Sequence, residues 1–229
     1  MEEAVVLESV SARLDTDGLM KLLRIEPGSG QDRDFCCLVE QAKEIADPGA
    51  LYRPAFIEER GGDFIVADGV KLSSRVLAKN VERAHRIFPF VATAGPQLET
   101  WADSIVEPVQ KYLADAVKGF VLISAINALE AHIKDRYATG TISRMNPGSL
   151  PDWPISEQTG LFQIIGDTSA IGVTLKPDLF MVPKATVSGL WFASESRFES
   201  CMLCPMEHCP GRRAPFDKGL FANKYGTKG

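Results

Sequence analysis

Histidine is scarce in these 229 residues: His85, His132 and His208 are the whole set. His85 and His132 fall on helical patterns among charged neighbours and read as ordinary surface or rim residues. No Gly-x-Gly-x-x-Gly occurs, which excludes the glycine turn that opens a dinucleotide site. Net charge is −5, and no lysine or arginine run alternates with aromatics, which argues against nucleic-acid binding. The one basic pair after the last cysteine, Arg212-Arg213, is expected to meet solvent, a carboxylate or an anionic ligand. The most apolar run, Gly119 to Leu129, is shorter than the ~20 residues of a spanning helix, so it reads as a buried helix and no membrane partner is expected. Met-Glu-Glu-Ala-Val-Val at the start lacks the basic and apolar regions of a secretory signal, and the expectation is a cytoplasmic protein.

Cysteine is present but unevenly spread. Cys201, Cys204 and Cys209 form a C-x2-C-x4-C pattern, with Pro205 and Pro210 stiffening the backbone after two of the sulfurs. Three thiolates on a short rigid loop suit part of a four-ligand zinc site or an iron–sulfur cluster. The fourth ligand would come from His208, Cys36, Cys37, Asp217 or a non-protein group. A redox-active thiol set and plain reduced thiols on a surface loop are the competing readings. An odd, bunched set of five also fits a reducing compartment better than a disulfide framework.

With 45% apolar and 24% charged residues, the chain has the composition of an ordinary folded protein. Apolar positions at helical spacing predict a helix over residues 34 to 46, stopped by Asp47-Pro48-Gly49. Asp63 to Leu72 reads as a hairpin turning at Asp68-Gly69, and Phe88 to Thr93 as a strand. Helical patterning resumes at Gln97. Pro108 is placed in the first turn of a long helix that reaches about Tyr137 and is apolar nearly all round. A proline-rich loop, Arg144 to Pro154, and a short helix from Ser156 follow. Strand-like segments at 172–175, 179–182 and 186–193 are expected to pair antiparallel. The fold class expected is α+β, a twisted, mainly antiparallel sheet flanked by helices. It is read as one domain over 1–229, with residues 1–33 an N-terminal extension and 194–229 a cysteine-containing tail.

Glu130 lies near the end of the long helix, where a buried acid needs a partner. It either faces a ligand or pairs with Lys134 one turn on.

Two separated motifs complete the pattern. Arg144-x-x-Pro147-Gly148 comes first, and Met181-x-Pro183-x-Ala185-x-Val187-Ser188-Gly189-x-x-Phe192 follows. With Glu130 ahead of them, they resemble the activation domain of cobalamin-dependent methionine synthase. In that family the loop reads Arg-Pro-x-Pro-Gly-Tyr-Pro and the later segment Met-x-Pro-x-Ala-Ser-Val-Ser-Gly. The likeness runs from about Leu113 to Phe192 and implies a stand-alone form of that domain.

The resemblance implies S-adenosylmethionine as ligand: Arg144 at its carboxylate, Glu130 at its amino group, Asn146 lending backbone groups, and Pro147-Gly148 permitting close approach. Ser149 stands where the family has tyrosine, which leaves Trp153 or Trp191 as the aromatic platform. No Asp-x-His-x-x-Gly is present, so cobalamin is expected only on a partner. The implied partners are a corrinoid protein or methionine synthase core, and reduced ferredoxin or flavodoxin as electron donor, with the cysteine tail as a relay. The implied function is reactivation of a corrinoid-dependent methyltransferase by reductive remethylation of cob(II)alamin. Two alternatives are a non-catalytic docking cap and a metal-stapled structural protein.

Overall fold

A computed structural model of the chain describes residues 2–7, 10–137, 139–206, 208–209 and 212–225. In chain order the elements are β1 (Val5–Val6), α1 (Thr16–Leu23), α2 (Gly30–Ile45), β2 (Gly49–Tyr52), β3 (Ala55–Arg60), β4 (Phe64–Ala67), β5 (Val70–Ser73) and α3 (Arg75–Asn80). These are followed by β6 (Arg86–Thr93), α4 (Pro96–Ser104), α5 (Pro108–Tyr137), β7 (Ile142–Met145), α6 (Gln158–Ile165), β8 (Thr174–Leu175), β9 (Met181–Val182) and β10 (Thr186–Ala193).

The sheet is organised on β6. Along one edge β10 pairs antiparallel for its whole length, from Thr186↔Thr93 to Phe192↔Ile87, and β7 pairs with the far side of β10. Along the other edge β6 meets two strands in succession, β2 at Phe90 to Thr93 and β3 at Arg86 and Ile87. Pro89 falls at the gap between them, where its carbonyl accepts from Arg53 N–H. A residue's N–H and C=O point to the same edge of a strand, so the donor that proline lacks falls in that gap, and a central strand tolerates it. From β3 the sheet continues through β4 and β5, joined by a tight turn at Asp68-Gly69 with φ of 48° and 75°. Two successive positive φ values are the hairpin geometry that an Asp-Gly pair favours.

Both faces of this sheet are covered, which is why β6 is buried from Ile87 to Thr93 instead of alternating. Leu190, Phe192, Met145 and Trp153 pack on one side with α3 and α6. Trp191, Phe90, Phe88 and Tyr52 pack on the other beneath α5. Helix α5 buries Leu113, Val117, Val121, Ala125, Leu129 and Ile133, a strict four-residue spacing that makes one stripe. Val109 and Ile123 are half exposed, so the helix is one-sided and not apolar all round. Its 30 residues include an 18-residue stretch of mean hydropathy 1.4, enough to cross a membrane by length and composition, but here its buried stripe is part of the protein core.

The structure revises three readings. The first 33 residues include β1, paired with β2, and α1, whose Leu19 and Met20 are buried together with Ile25. β8 and β9 do pair antiparallel with each other, but β10 joins the main sheet. Arg144 stands on strand β7 and not in a loop. Single-sequence patterning missed β1 and β7 because each is four residues or fewer and takes its strand character from neighbours distant in the chain.

Candidate functional site

The site grows from the end of β7. Trp191 of β10 is paired with Arg144, and the Arg144 guanidinium carbon lies 5.1 Å from the Trp191 ring centroid. Beyond Met145 the chain turns away over Asn146-Pro147-Gly148-Ser149, closed by Ser149 N–H donating to Asn146 O at 3.2 Å. Proline second and a glycine with φ of +78° third are what a type II turn requires. Asn146 Nδ2 donates to Ser188 O at 2.7 Å and crosses β10 over Gly189. A Cβ on Gly189 would lie 2.4 Å from Asn146 Nδ2 and 2.5 Å from Met145 O, so only glycine lets the two segments cross.

The loop after the turn is fastened at two points. Trp153 is fully buried in the core, with its backbone N–H donating to Leu150 O. The Asp152 carboxylate accepts from Ser74 Oγ and from Val76 N–H at 2.9 Å, capping α3 from 76 residues away. Gln158, at the start of α6, accepts from Ser188 Oγ at 3.1 Å and donates to Leu179 O at 3.0 Å, joining β10 to the turn before β9.

These constraints leave an open groove of about 530 Å³ whose walls include Arg144, Asn146, Pro147, Gly148, Ile155, Met181, Ser188 and Arg213. Arg144 is 8% exposed, and its Nε and Nη1 have no hydrogen-bond acceptor among the described residues. A buried guanidinium with unused N–H groups is costly unless an acceptor arrives. Arg144 is thus a cation of the groove wall with two buried donors that no described residue satisfies. Arg213 adds a second cation there, with its charged form disfavoured by burial.

Glu130 is not one of the groove's lining residues. It is bound by Lys134 Nζ at 2.7 Å and Arg197 Nη1 at 3.0 Å. Arg197 Nε then contacts Glu199 Oε1 at 2.8 Å, and Glu199 Oε2 lies 3.0 Å from Arg213 Nε. That last contact is an ion pair by distance but is not aligned as a hydrogen bond. The carboxylate expected to share a ligand with Arg144 is instead the far end of a chain of ion pairs that reaches the groove at Arg213. Trp153 and Trp191 are both buried, so neither presents a face for a ligand to stack on.

Cys201, Cys204 and Cys209 are half-buried free thiols, and His208 is exposed. Among the described residues, no three histidine, cysteine or acidic side chains come together as a metal site, so the zinc or iron–sulfur expectation is not supported. The loop is instead organised about Arg212. Its Nη1 donates to Cys201 O at 3.1 Å and Ala214 O at 2.9 Å, and its Nη2 donates to Cys204 O at 2.8 Å and also to Met206 O. Cys201 Sγ accepts from Arg213 N–H at 3.4 Å.

Arg213, Glu199 and Gln158 were missed as site residues. Only the Arg-Arg pair carried a signal, and charge alone does not say which of two adjacent guanidiniums points inward. No family model and no curated protein matches the chain. Among solved structures it is similar to the MetH reactivation domain bound to AdoHcy, with a TM-score of 0.62 and 15% identity over 86% of this chain and 81% of that one. At that identity the likeness shows the fold: a mainly antiparallel sheet flanked by helices, arranged as in that reactivation domain.

Proposed function

We propose that this protein is a reactivation subunit for a cobalamin- or corrinoid-dependent methyltransferase of the methionine synthase type. In this reading it holds S-adenosylmethionine or its demethylated product in the groove at Arg144. The observation that carries it is Arg144, a buried residue of the groove wall whose guanidinium has two nitrogens without an acceptor among the described residues, in a fold shared with a domain bound to AdoHcy. Arg144 would take the ligand's carboxylate as a charge-assisted pair. Asn146, Pro147 and Gly148 would form the wall that the rest of the ligand follows. Glu130 would act from a distance, by fixing the ion-pair chain that ends at Arg213.

Bound S-adenosylmethionine supplies an electrophilic methyl group, and this chain's part is to orient it toward a partner. An apolar partner face is suited by Ile155 of the groove wall, 47% exposed, and by Phe180 and Val182, 72% and 42% exposed, which flank the lining residue Met181 in sequence. Such a partner would be a corrinoid protein or methionine synthase core presenting its cobalamin. Reduced ferredoxin or flavodoxin would supply the electron to that complex. The docking-cap alternative draws on a different observation, the burial of Trp153 and Trp191, which leaves neither of these indole faces for an adenine.

Calorimetric titration with S-adenosylmethionine and S-adenosylhomocysteine tests the reading. Saturable binding of either supports it. Absence of binding by both, in a folded sample, removes the reactivation role and favours the cap.

A further inference from the structure

The groove's charge does not match the simplest amino-acid clamp, in which one cation meets the carboxylate and one acid meets the ammonium. Among the described residues the ion-pair chain sets Lys134, Arg197 and Arg213 against Glu130 and Glu199, three cations to two carboxylates, both carboxylates are shared between cations, and Arg144 has no carboxylate partner. At the groove itself the charged walls are Arg144 and Arg213. The two come from segments distant in sequence but are tied together, because Arg144 and Glu199 form a backbone bridge and Glu199 holds Arg213. Arg212, one residue earlier, turns the other way and binds carbonyls of the cysteine loop, which orients Arg213.

We propose that Arg213, delivered by the C-terminal tail, is the second half of a two-guanidinium clamp with Arg144. The clamp takes an oxyanion, a carboxylate or phosphate group of a small molecule, and the groove's described lining holds no carboxylate for an ammonium. The proposal rests on the reading above that this groove is the ligand site, and it names the group recognised there. Two planar forks can share the oxygens of one oxyanion, which gives orientation as well as charge. Ligand binding thereby depends on the tail being folded back, and the tail's role is to close the site.

The experiment is calorimetry on the full chain, on Arg213→Gln and on Arg213→Lys, with S-adenosylhomocysteine and, separately, inorganic phosphate. Circular dichroism reports whether each variant is folded. Arg213→Gln is expected to bind at least about tenfold more weakly, the loss of one charge-assisted contact. Arg213→Lys is expected to recover part of that, because it restores the charge without the fork. A folded Arg213→Gln protein that binds as tightly as the parent overturns the clamp, as does a parent that binds neither probe. If Arg213→Gln is unfolded, the lysine variant decides: affinity equal to the parent's overturns the clamp. Phosphate bound in an Arg213-dependent way, with no S-adenosylhomocysteine binding, keeps the clamp and removes the reactivation reading. S-adenosylhomocysteine bound equally by parent and glutamine variant does the reverse.

Discussion

Arg144 lies over the indole of Trp191, its partner across the β7–β10 ladder, with the guanidinium carbon 5.1 Å from the ring centroid. The ring supports one side of a cation that has no carboxylate partner among the described residues, and two of its nitrogens have no hydrogen-bond acceptor there. Arg144→Ala should therefore weaken binding of S-adenosylhomocysteine by about 1.5–3 kcal/mol, the range for a hydrogen bond to a charged group. Calorimetry reads this directly. Unchanged affinity would take Arg144 out of the site.

Gly189→Ala should destabilise the fold by about 1–3 kcal/mol, the range for overpacking. The new methyl would displace Asn146 Nδ2 and press on Met145 O, which is backbone and has little room to give. Urea unfolding followed by circular dichroism measures the loss, and an unchanged midpoint would mean that β7 and β10 do not cross as closely as described.

Glu130→Gln separates a binding role from an electrostatic one. Its partners Lys134 and Arg197 have side chains 40% and 49% exposed, so the cost to stability should stay within about 1 kcal/mol. Affinity for S-adenosylhomocysteine should remain within about threefold, since Glu130 does not line the groove. A large loss of affinity with little loss of stability would restore Glu130 as a direct ligand contact.

Alkaline pH should weaken the fold. Burial pushes the Tyr225 phenol up to about 12, and the Tyr52 phenol is raised as well, by burial and by the Tyr137 hydroxyl. The unfolded chain loses its phenolic protons near pH 10, earlier than the folded chain. Stability is thus fully present below about pH 10 and falls as pH climbs toward about 12, because the folded state binds more protons in that interval. Tyr225→Phe should show a shallower fall when unfolding is measured from pH 9 to 12, and the same slope in both proteins would refute the assignment.

Arg212→Ala should open the cysteine loop. Removing a guanidinium that bonds several carbonyls leaves the segment around Cys201 and Cys204 without its central fastening. Alkylation of those thiols should speed up at least about tenfold, from the loss of one or more charge-assisted bonds. Unaltered rates would show that something other than Arg212 holds the loop. Iron or zinc recovered at one per chain from the parent would show the same.

The sequence by itself determined those elements whose signal is local and repeated. The 34–46 helix, the Asp68-Gly69 hairpin, the Phe88 to Thr93 strand and the helix from Pro108 to Tyr137 all stand within a few residues of where their patterns placed them. The Pro147-Gly148 turn was legible for the same reason, since its residue types restrict their own backbone. The groove's charge was not legible there. The pairing of Glu130 with Lys134 one turn on was legible, but that Glu130 also meets Arg197, 67 positions on, and that Arg213 meets Glu199, 14 positions back, was not. Only the tertiary structure decides this, because Coulomb forces and desolvation act through space and follow the nearest partner, whatever its distance along the chain.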